Sequence, residues 1–316
     1  MKLKRRDFLK GLAGGTLITS LAPTSVFCRE PAASDEAKGI LYDATQCIGC
    51  QVCMVACKQA NKIPEEHTGK DKMWDNPVDL SASTLNIIKK YEHGNKTDKD
   101  NEENGFSFVK RQCMHCLKPA CASACPVSAL KKDASTGIVK YDSSRCIGCR
   151  YCQVACPFNV PKFEWDNPFP KIVKCQLCDH LVSKGGAAAC CTACPTGASL
   201  FGPVNDLMNE AKKRLKMTSG KYYEFPIDDL KKGKTKIHMS TPYINAVFGE
   251  SEVGGTQVML MSGVSFSKIG LPDLPDDSYA ALSESIQHGL YNKMILPAAL
   301  LGSLSLLIAN RKKKDE

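Results

Sequence analysis

Sixteen of the eighteen cysteines in this 316-residue chain fall into four groups of four. Cys47, Cys50, Cys53 and Cys57 read C-x2-C-x2-C-x3-C, and Cys146, Cys149, Cys152 and Cys156 repeat that spacing with Pro157 behind it. Cys113, Cys116, Cys121 and Cys125 read C-x2-C-x4-C-x3-C-P, and Cys175, Cys178, Cys190 and Cys194 read C-x2-C-x11-C-x3-C-P. A [4Fe–4S] cube has four irons, each needing one outside thiolate. In C-x2-C-x2-C the chain curls around one cube, and a fourth cysteine three residues on ligates the other cube of a two-cluster unit. The proline after it donates no backbone hydrogen bond and has its φ preset for a turn, which steers the chain away. Clusters of this kind mainly move single electrons, so the chemistry expected is that of a wire.

Other uses of cysteine fit less well. Paired C-x2-C motifs build zinc sites, but zinc has no use for a third cysteine two residues further on. Four cysteines within an eleven-residue span are poorly placed to pair as disulfides, and the chain is far longer than scaffolds that need such staples. No C-x-x-C is followed by His, which excludes attached haem. Cys191 competes with its neighbour Cys190; the C-x3-C-P spacing of the other groups favours Cys190 and leaves Cys191 a spare, buried thiol.

A repeat underlies the motifs. Tyr42-Asp43 leads into Cys47-Ile48-Gly49-Cys50, then Cys53, Val55-Ala56 and Cys57; Tyr141-Asp142 leads into Cys146-Ile147-Gly148-Cys149, then Cys152, Val154-Ala155 and Cys156. Matching positions outside the cysteines argue for one unit used more than once. The expected fold class is α+β: tandem two-cluster ferredoxin-like units over residues 39–204, with loop-rich insertions and four [4Fe–4S] clusters. Residues 58–112, with the charged run 96–104, are expected to be a polar surface loop in which His67, Trp74 and His93 have no ligand role. Residues 206–217 have helical periodicity, with Asn205 available as a cap. Residues 205–289 lack cysteines and are expected to be a docking and linker region. Gly254-Gly255-Thr256 is too short for a phosphate loop.

The two ends address the chain. Lys4-Arg5-Arg6-Asp7-Phe8-Leu9-Lys10 and a weakly apolar stretch have the form of a twin-arginine export signal over residues 1–28. That route exports folded, cofactor-loaded proteins, so thiolates would not meet oxidising catalysts unprotected. Phe27 is too bulky for Cys28 to be a lipidated cysteine. Residues 294–309 are apolar apart from two serines, and with 290–293 they reach about twenty residues, enough to cross a hydrocarbon core of about 30 Å. A transmembrane anchor is therefore expected over 290–310. Arg311, Lys312, Lys313 and Lys314 mark the 311–316 tail as cytoplasmic and the preceding domain as periplasmic.

Formal net charge is +9. Four oxidised cubes with their thiolates, at about −2 each, bring it close to neutral, and the leader through Lys10 holds much of the rest. Nucleic-acid binding is thereby disfavoured. Sparse aromatics leave a modest conventional core, so metal binding is expected to supply folding free energy.

With these residues in hand, the chain resembles the four-cluster ferredoxin-type subunits of membrane-bound respiratory oxidoreductases. The likeness rests on Gln112-Cys113-Met114-His115-Cys116, Cys125-Pro126-Val127-Ser128-Ala129-Leu130, Cys149-Arg150-Tyr151-Cys152 and Pro157-Phe158-Asn159-Val160-Pro161. It is most similar to the electron-transfer subunit of hydrogenase-2-type [NiFe] hydrogenases, with the membrane formate dehydrogenase β subunit as the alternative. The resemblance implies four swapped ligand sets: Cys47, Cys50, Cys53 and Cys194; Cys175, Cys178, Cys190 and Cys57; Cys113, Cys116, Cys121 and Cys156; Cys146, Cys149, Cys152 and Cys125. Lys58 stands where the other motifs have proline. The implied function is a relay without a catalytic site of its own, partnered by hydrogenase small and large subunits and an integral membrane quinone-interacting subunit. An assembly scaffold with structural clusters is the alternative of another class.

Overall fold

The structure, a computed structural model, describes residues 34, 36–65, 74, 77–165, 167–168 and 170–280. The export signal over 1–28, Cys28, His67, the anchor over 290–310 and the tail over 311–316 lie outside the described residues. Among the described residues no helix is long and apolar enough to cross a membrane.

The fold mixes short strands and helices. In chain order come β1 (Lys38–Asp43), a 3-10 turn at Ala44–Gln46, α1 (Val52–Asn61), β2 (Asn86–Glu92), β3 (Asp98–Lys99) and β4 (Gly105–Gln112). Next are α2 (Ala120–Ser123), β5 (Leu130–Lys132), β6 (Val139–Tyr141), α3 (Tyr151–Ala155), β7 (Lys162–Phe163) and β8 (Ile172–Val173). The last are α4 (Asp179–Val182), α5 (Ala189–Thr192), β9 (Ser199–Pro203), α6 (Val204–Leu215), β10 (Tyr222–Pro226), β11 (Thr235–Met239) and β12 (Val258–Met261).

β1 is the middle strand of a three-stranded sheet, parallel to β12 and antiparallel to β9. Side chains alternate between faces along a strand, and this sheet buries both. Ile40, Tyr42, Phe201, Val258 and Leu260 join the main core, which holds cysteines of three of the motifs. Leu41, Leu200, Met259 and Met261 face α6 and pack on Val204, Leu207 and Ala211. Those α6 residues recur at helical spacing, with Asp206 in the first turn and Lys212, Lys213 and Arg214 in the last, as the helix dipole favours.

Three expectations are corrected. Among the described residues of 58–112 the expected loop gives way to regular structure: α1 continues to Asn61, and β2 and β4 pair antiparallel from Asn86↔Gln112 to Glu92↔Phe106. Ile87, Ile88, Phe108 and Val109 are buried in the main core, and β-branched and aromatic residues win over the polar average of the segment. Its charged run is also tied down. Lys99 Nζ donates to the carbonyls of Ala44 at 3.1 Å and Thr45 at 2.7 Å, and Lys268 Nζ donates to Glu102 Oε2 at 2.7 Å. Asn205 does not cap α6; Pro203 is the N-cap, with its fixed φ in place of a side-chain bond, and Asn205 lies in the first turn. Residues 205–280 are no appended linker, because β12 completes the central sheet and α6 covers it.

Arg214 joins α6 to β1. It is fully buried, with Nη1 donating to Asp43 Oδ2 and Nε to Glu210 Oε1, both at 2.9 Å. Asp43 also accepts from Tyr243 Oη at 2.8 Å and caps the 3-10 turn through Thr45 N at 3.0 Å, four residues before Cys47. Breaking a buried pair strands the partner's charge. Arg214→Met is expected to cost about 3–5 kcal/mol in anaerobic unfolding of the loaded protein; a loss below about 1 kcal/mol would contradict this role.

Candidate metal centres

The cysteine loops owe their shape to residues in the left-handed region. Gly49 (φ 71°) and Gln51 (φ 60°) precede α1, and Gly148 (φ 72°) and Arg150 (φ 63°) precede α3. Alternation of this kind turns successive N–H groups inward, a concavity suited to anions. Gly49 N lies 3.4 Å from Cys47 Sγ, Leu177 N 3.3 Å from Cys175 Sγ and Ala129 N 3.2 Å from Cys125 Sγ.

Two small, partly open cavities of matching design result. One is lined by Cys47, Cys50, Cys53 and Cys194, the other by Cys146, Cys149, Cys152 and Cys125. Tyr42, Ile48, Gln51 and Ala198 around the first correspond to Tyr141, Ile147, Arg150 and Ala129 around the second, at constant offsets in sequence. The pairing repeats as well: Tyr42 sits opposite Ser199 on β9, and Tyr141 opposite Leu130 on β5. Each loop carries an aromatic cover with a cation over it. Phe108 and Trp74 lie over Gly49 with Lys90 above Trp74, and Trp74 Nε1 donates to Gly49 O at 3.1 Å. Phe163 and Trp165 lie by Gly148 with Arg150 above both. Trp74 therefore has a structural role, and His93 is exposed.

The remaining cysteines gather between these cavities. Burial first, then Cys190 and Cys178, push the Cys57 thiol up to about 12. Cys175 is raised by burial and then by Cys57, Cys113, Cys178 and Cys190. Cys116 is raised by burial and then by Cys113, Cys156 and Cys121. Thiols of different groups also meet in a fixed order. Cys53, pushed up to about 12 chiefly by burial, feels Cys190; Cys175 feels Cys113; Cys121, also about 12, feels Cys152. These influences link the four groups in one row, from the first motif to the fourth, the second and the third.

Cys190 departs from the pattern. A hydrogen bond from Cys191 pulls it down to about 5 against burial, with help from Lys110. Burial and then Cys190 push the fully buried Cys191 thiol up.

The donor set suits iron–sulfur cubes. Among the described residues no three His, Cys, Asp or Glu side chains converge closely enough for a single ion. His115 is fully buried in the Cys113–Cys116 loop; its Nδ1 accepts from Val139 N at 3.1 Å, while Nε2 has no protein partner. Both amide atoms of Gln112, next to Cys113, are likewise buried without one. Buried polar groups are rarely left so, and an acceptor such as a cluster sulfide would satisfy the two donors among them, His115 Nε2 and Gln112 Nε2.

Two buried lysines escaped the sequence reading. Lys110 lies in the β4 run Phe108-Val109-Lys110, where nothing in the alternation marks it as interior. Lys174 directly precedes Cys175, and a basic residue beside a ligand was the available signal. Burial opposes the charge of Lys110, yet Cys190, Cys53 and Cys191 outweigh it and hold its pKa above the usual range.

A β-carbon on Gly49 would stand 2.4 Å from the Phe108 ring, whereas on Gly148 it would stand 3.7 Å from Phe163. Both alanine variants take on left-handed strain, but only Gly49→Ala also displaces a buried ring. Gly49→Ala is expected to lower unfolding stability by about 1–3 kcal/mol more than Gly148→Ala, measured by anaerobic thermal denaturation. Equal losses would contradict the asymmetry.

Comparison with known proteins agrees with this chemistry. Residues 105–204 match the 4Fe-4S dicluster domain family. The chain is 44% identical over 321 residues to the hydrogenase-2 operon protein HybA of Escherichia coli O157:H7, covering 99% of this chain and 97% of that one. It is 32% identical over 296 residues to the formate dehydrogenase iron-sulfur subunit of Haemophilus influenzae, covering 92% and 85% of the two chains. It is 34% identical over 222 residues to the iron-sulfur subunit of the nitrate-inducible formate dehydrogenase of Escherichia coli K12, covering 69% and 66%. The chain belongs to the HybA family of iron–sulfur electron-transfer subunits, to which the formate dehydrogenase iron–sulfur subunits are related.

Proposed function

We propose that this chain is a periplasm-facing relay that carries electrons from a [NiFe] hydrogenase catalytic dimer to a membrane subunit that reduces quinone. The order of the thiol groups carries this reading: Cys53 beside Cys190, Cys175 beside Cys113, Cys121 beside Cys152. In it the chain is two two-cluster units, and each fourth cysteine serves the neighbouring site. The first site takes Cys47, Cys50, Cys53 and Cys194; the second Cys175, Cys178, Cys190 and Cys57; the third Cys113, Cys116, Cys121 and Cys156; the fourth Cys146, Cys149, Cys152 and Cys125. Bound there, four [4Fe–4S] clusters would supply reversible one-electron chemistry.

The protein's part is to bind, insulate and present. All four cysteines of the second site are buried, whereas Cys50 of the first is exposed. Exposed Ile48 and Val52 flank the first site, and exposed Ile147, Tyr151, Val154 and Trp165 flank the fourth; apolar surface of this kind marks contact sites. Tyr279, at the end of the described chain, shares a groove with Val154, Ala155 and Pro157. That supports a C-terminal anchor over 290–310 leaving beside the fourth site, which makes it the exit and the first site the entrance. The export signal over 1–28 and the basic tail over 311–316 agree with a periplasmic domain and a cytoplasmic end. No acid, base or nucleophile is needed for this role. The formate dehydrogenase reading is favoured less, because the formate dehydrogenase relatives are 32% and 34% identical to this chain against 44% for HybA.

Cys149→Ala removes a ligand of the exit site alone. In the detergent-solubilised complex, hydrogen oxidation with an artificial acceptor should persist while quinone reduction is lost. Quinone reduction at the wild-type rate would sink the relay, as would clusters that do not cycle between the potentials of hydrogen and quinone.

A further inference from the structure

The only two lysines buried among the described residues both stand between successive thiol groups. Lys110, 2% exposed, has its Nζ 3.1 Å from Ser199 Oγ, and Cys190 of the second site and Cys53 of the first are the leading charges that act on it. Lys174, 4% exposed, donates to the carbonyls of Val139 and Cys175, the latter at 3.0 Å. Cys175 belongs to the second site, and the charge of Lys174 acts on Cys121 and Cys156 of the third. Burying an ammonium is costly unless anionic groups replace its water. The leading charges acting on Lys110 are those of thiols, not carboxylates. Between the third and fourth sites, where Cys121 meets Cys152, there is no buried lysine among the described residues.

We propose that Lys110 and Lys174 are potential-setting cations, placed in the first and second gaps of the row so that the clusters beside them are easier to reduce. The inference rests on the relay reading above. Reduction adds one electron, received from the neighbouring cluster or from a dithionite titrant, and makes a site one charge more negative. The electron is the only particle transferred, and no bond of the protein is made or broken. A fixed cation in a poorly screened interior stabilises the reduced form more than the oxidised one. Because each lysine adjoins two sites, it raises both potentials together.

The test is an EPR-monitored redox titration of the full chain in its anaerobic, detergent-solubilised complex, with iron content measured on the same samples. Lys110→Met should shift the midpoints of the first and second sites to more negative values by about tenfold in the one-electron equilibrium, or ~59 mV. Lys110→Arg should restore them. Lys174→Met should act in the same direction on the second and third sites, and the exposed control Lys212→Met should leave all midpoints in place. If Lys110→Met sheds iron, Lys110→Gln, which keeps a hydrogen bond to Ser199, gives the reading. Unmoved midpoints in the Lys110 and Lys174 variants at full cluster content would overturn the proposal and leave the relay standing. Absence of four clusters from the wild type would instead defeat the relay reading itself.

Discussion

A buried thiol ionises only where something takes its charge, and this fold is arranged around that constraint. Burial is the largest influence on Cys53, Cys57, Cys121 and Cys175, and each is held above the usual thiol range. Left as thiols, they would line polarisable but empty space; as thiolates, they need a soft cation. The secondary structure is correspondingly slight. α2, α4 and α5 have four residues each, too few to stand alone, and β5 and β6 pair over three residues. Metal binding therefore supplies much of what a larger apolar core would supply elsewhere.

Charge placement follows from the same constraint. At β1 the positive Arg214 meets Asp43 and Glu210, a conventional buried network that fixes the strand entering the first cysteine loop. Lys110 and Lys174 have no such partners and find thiolates and carbonyls instead. The aromatic covers over Gly49 and Gly148 shield the outer loops in the same way, each with a cation on its face. The repeat therefore extends beyond the ligands to the rings and cations packed over each loop.

Much of the site was legible in the sequence because cysteine spacing is a direct record of chain geometry. The glycines at 49 and 148 and the tyrosines at 42 and 141 were visible as a repeat, and the structure gives each a place in its loop. What escaped depended on long-range pairing. The strands at Asn86–Glu92 and Gly105–Gln112 were masked by the charged run between them, and only their mutual register buries Ile87 and Phe108. β12 joins β1 across more than two hundred residues, so a cysteine-free segment looked like a linker. Lys110 looked like a solvated strand residue, since no local pattern distinguishes a lysine facing water from one facing sulfur.

Native mass spectrometry of the anaerobically purified chain tests the central claim most directly. Four sites of four thiolates require four equal [4Fe–4S] increments above the mass of the polypeptide, lost together with the folded charge-state distribution when iron is chelated. Zinc-sized increments, fewer than four cubes, or a folded distribution that survives complete loss of iron would contradict it.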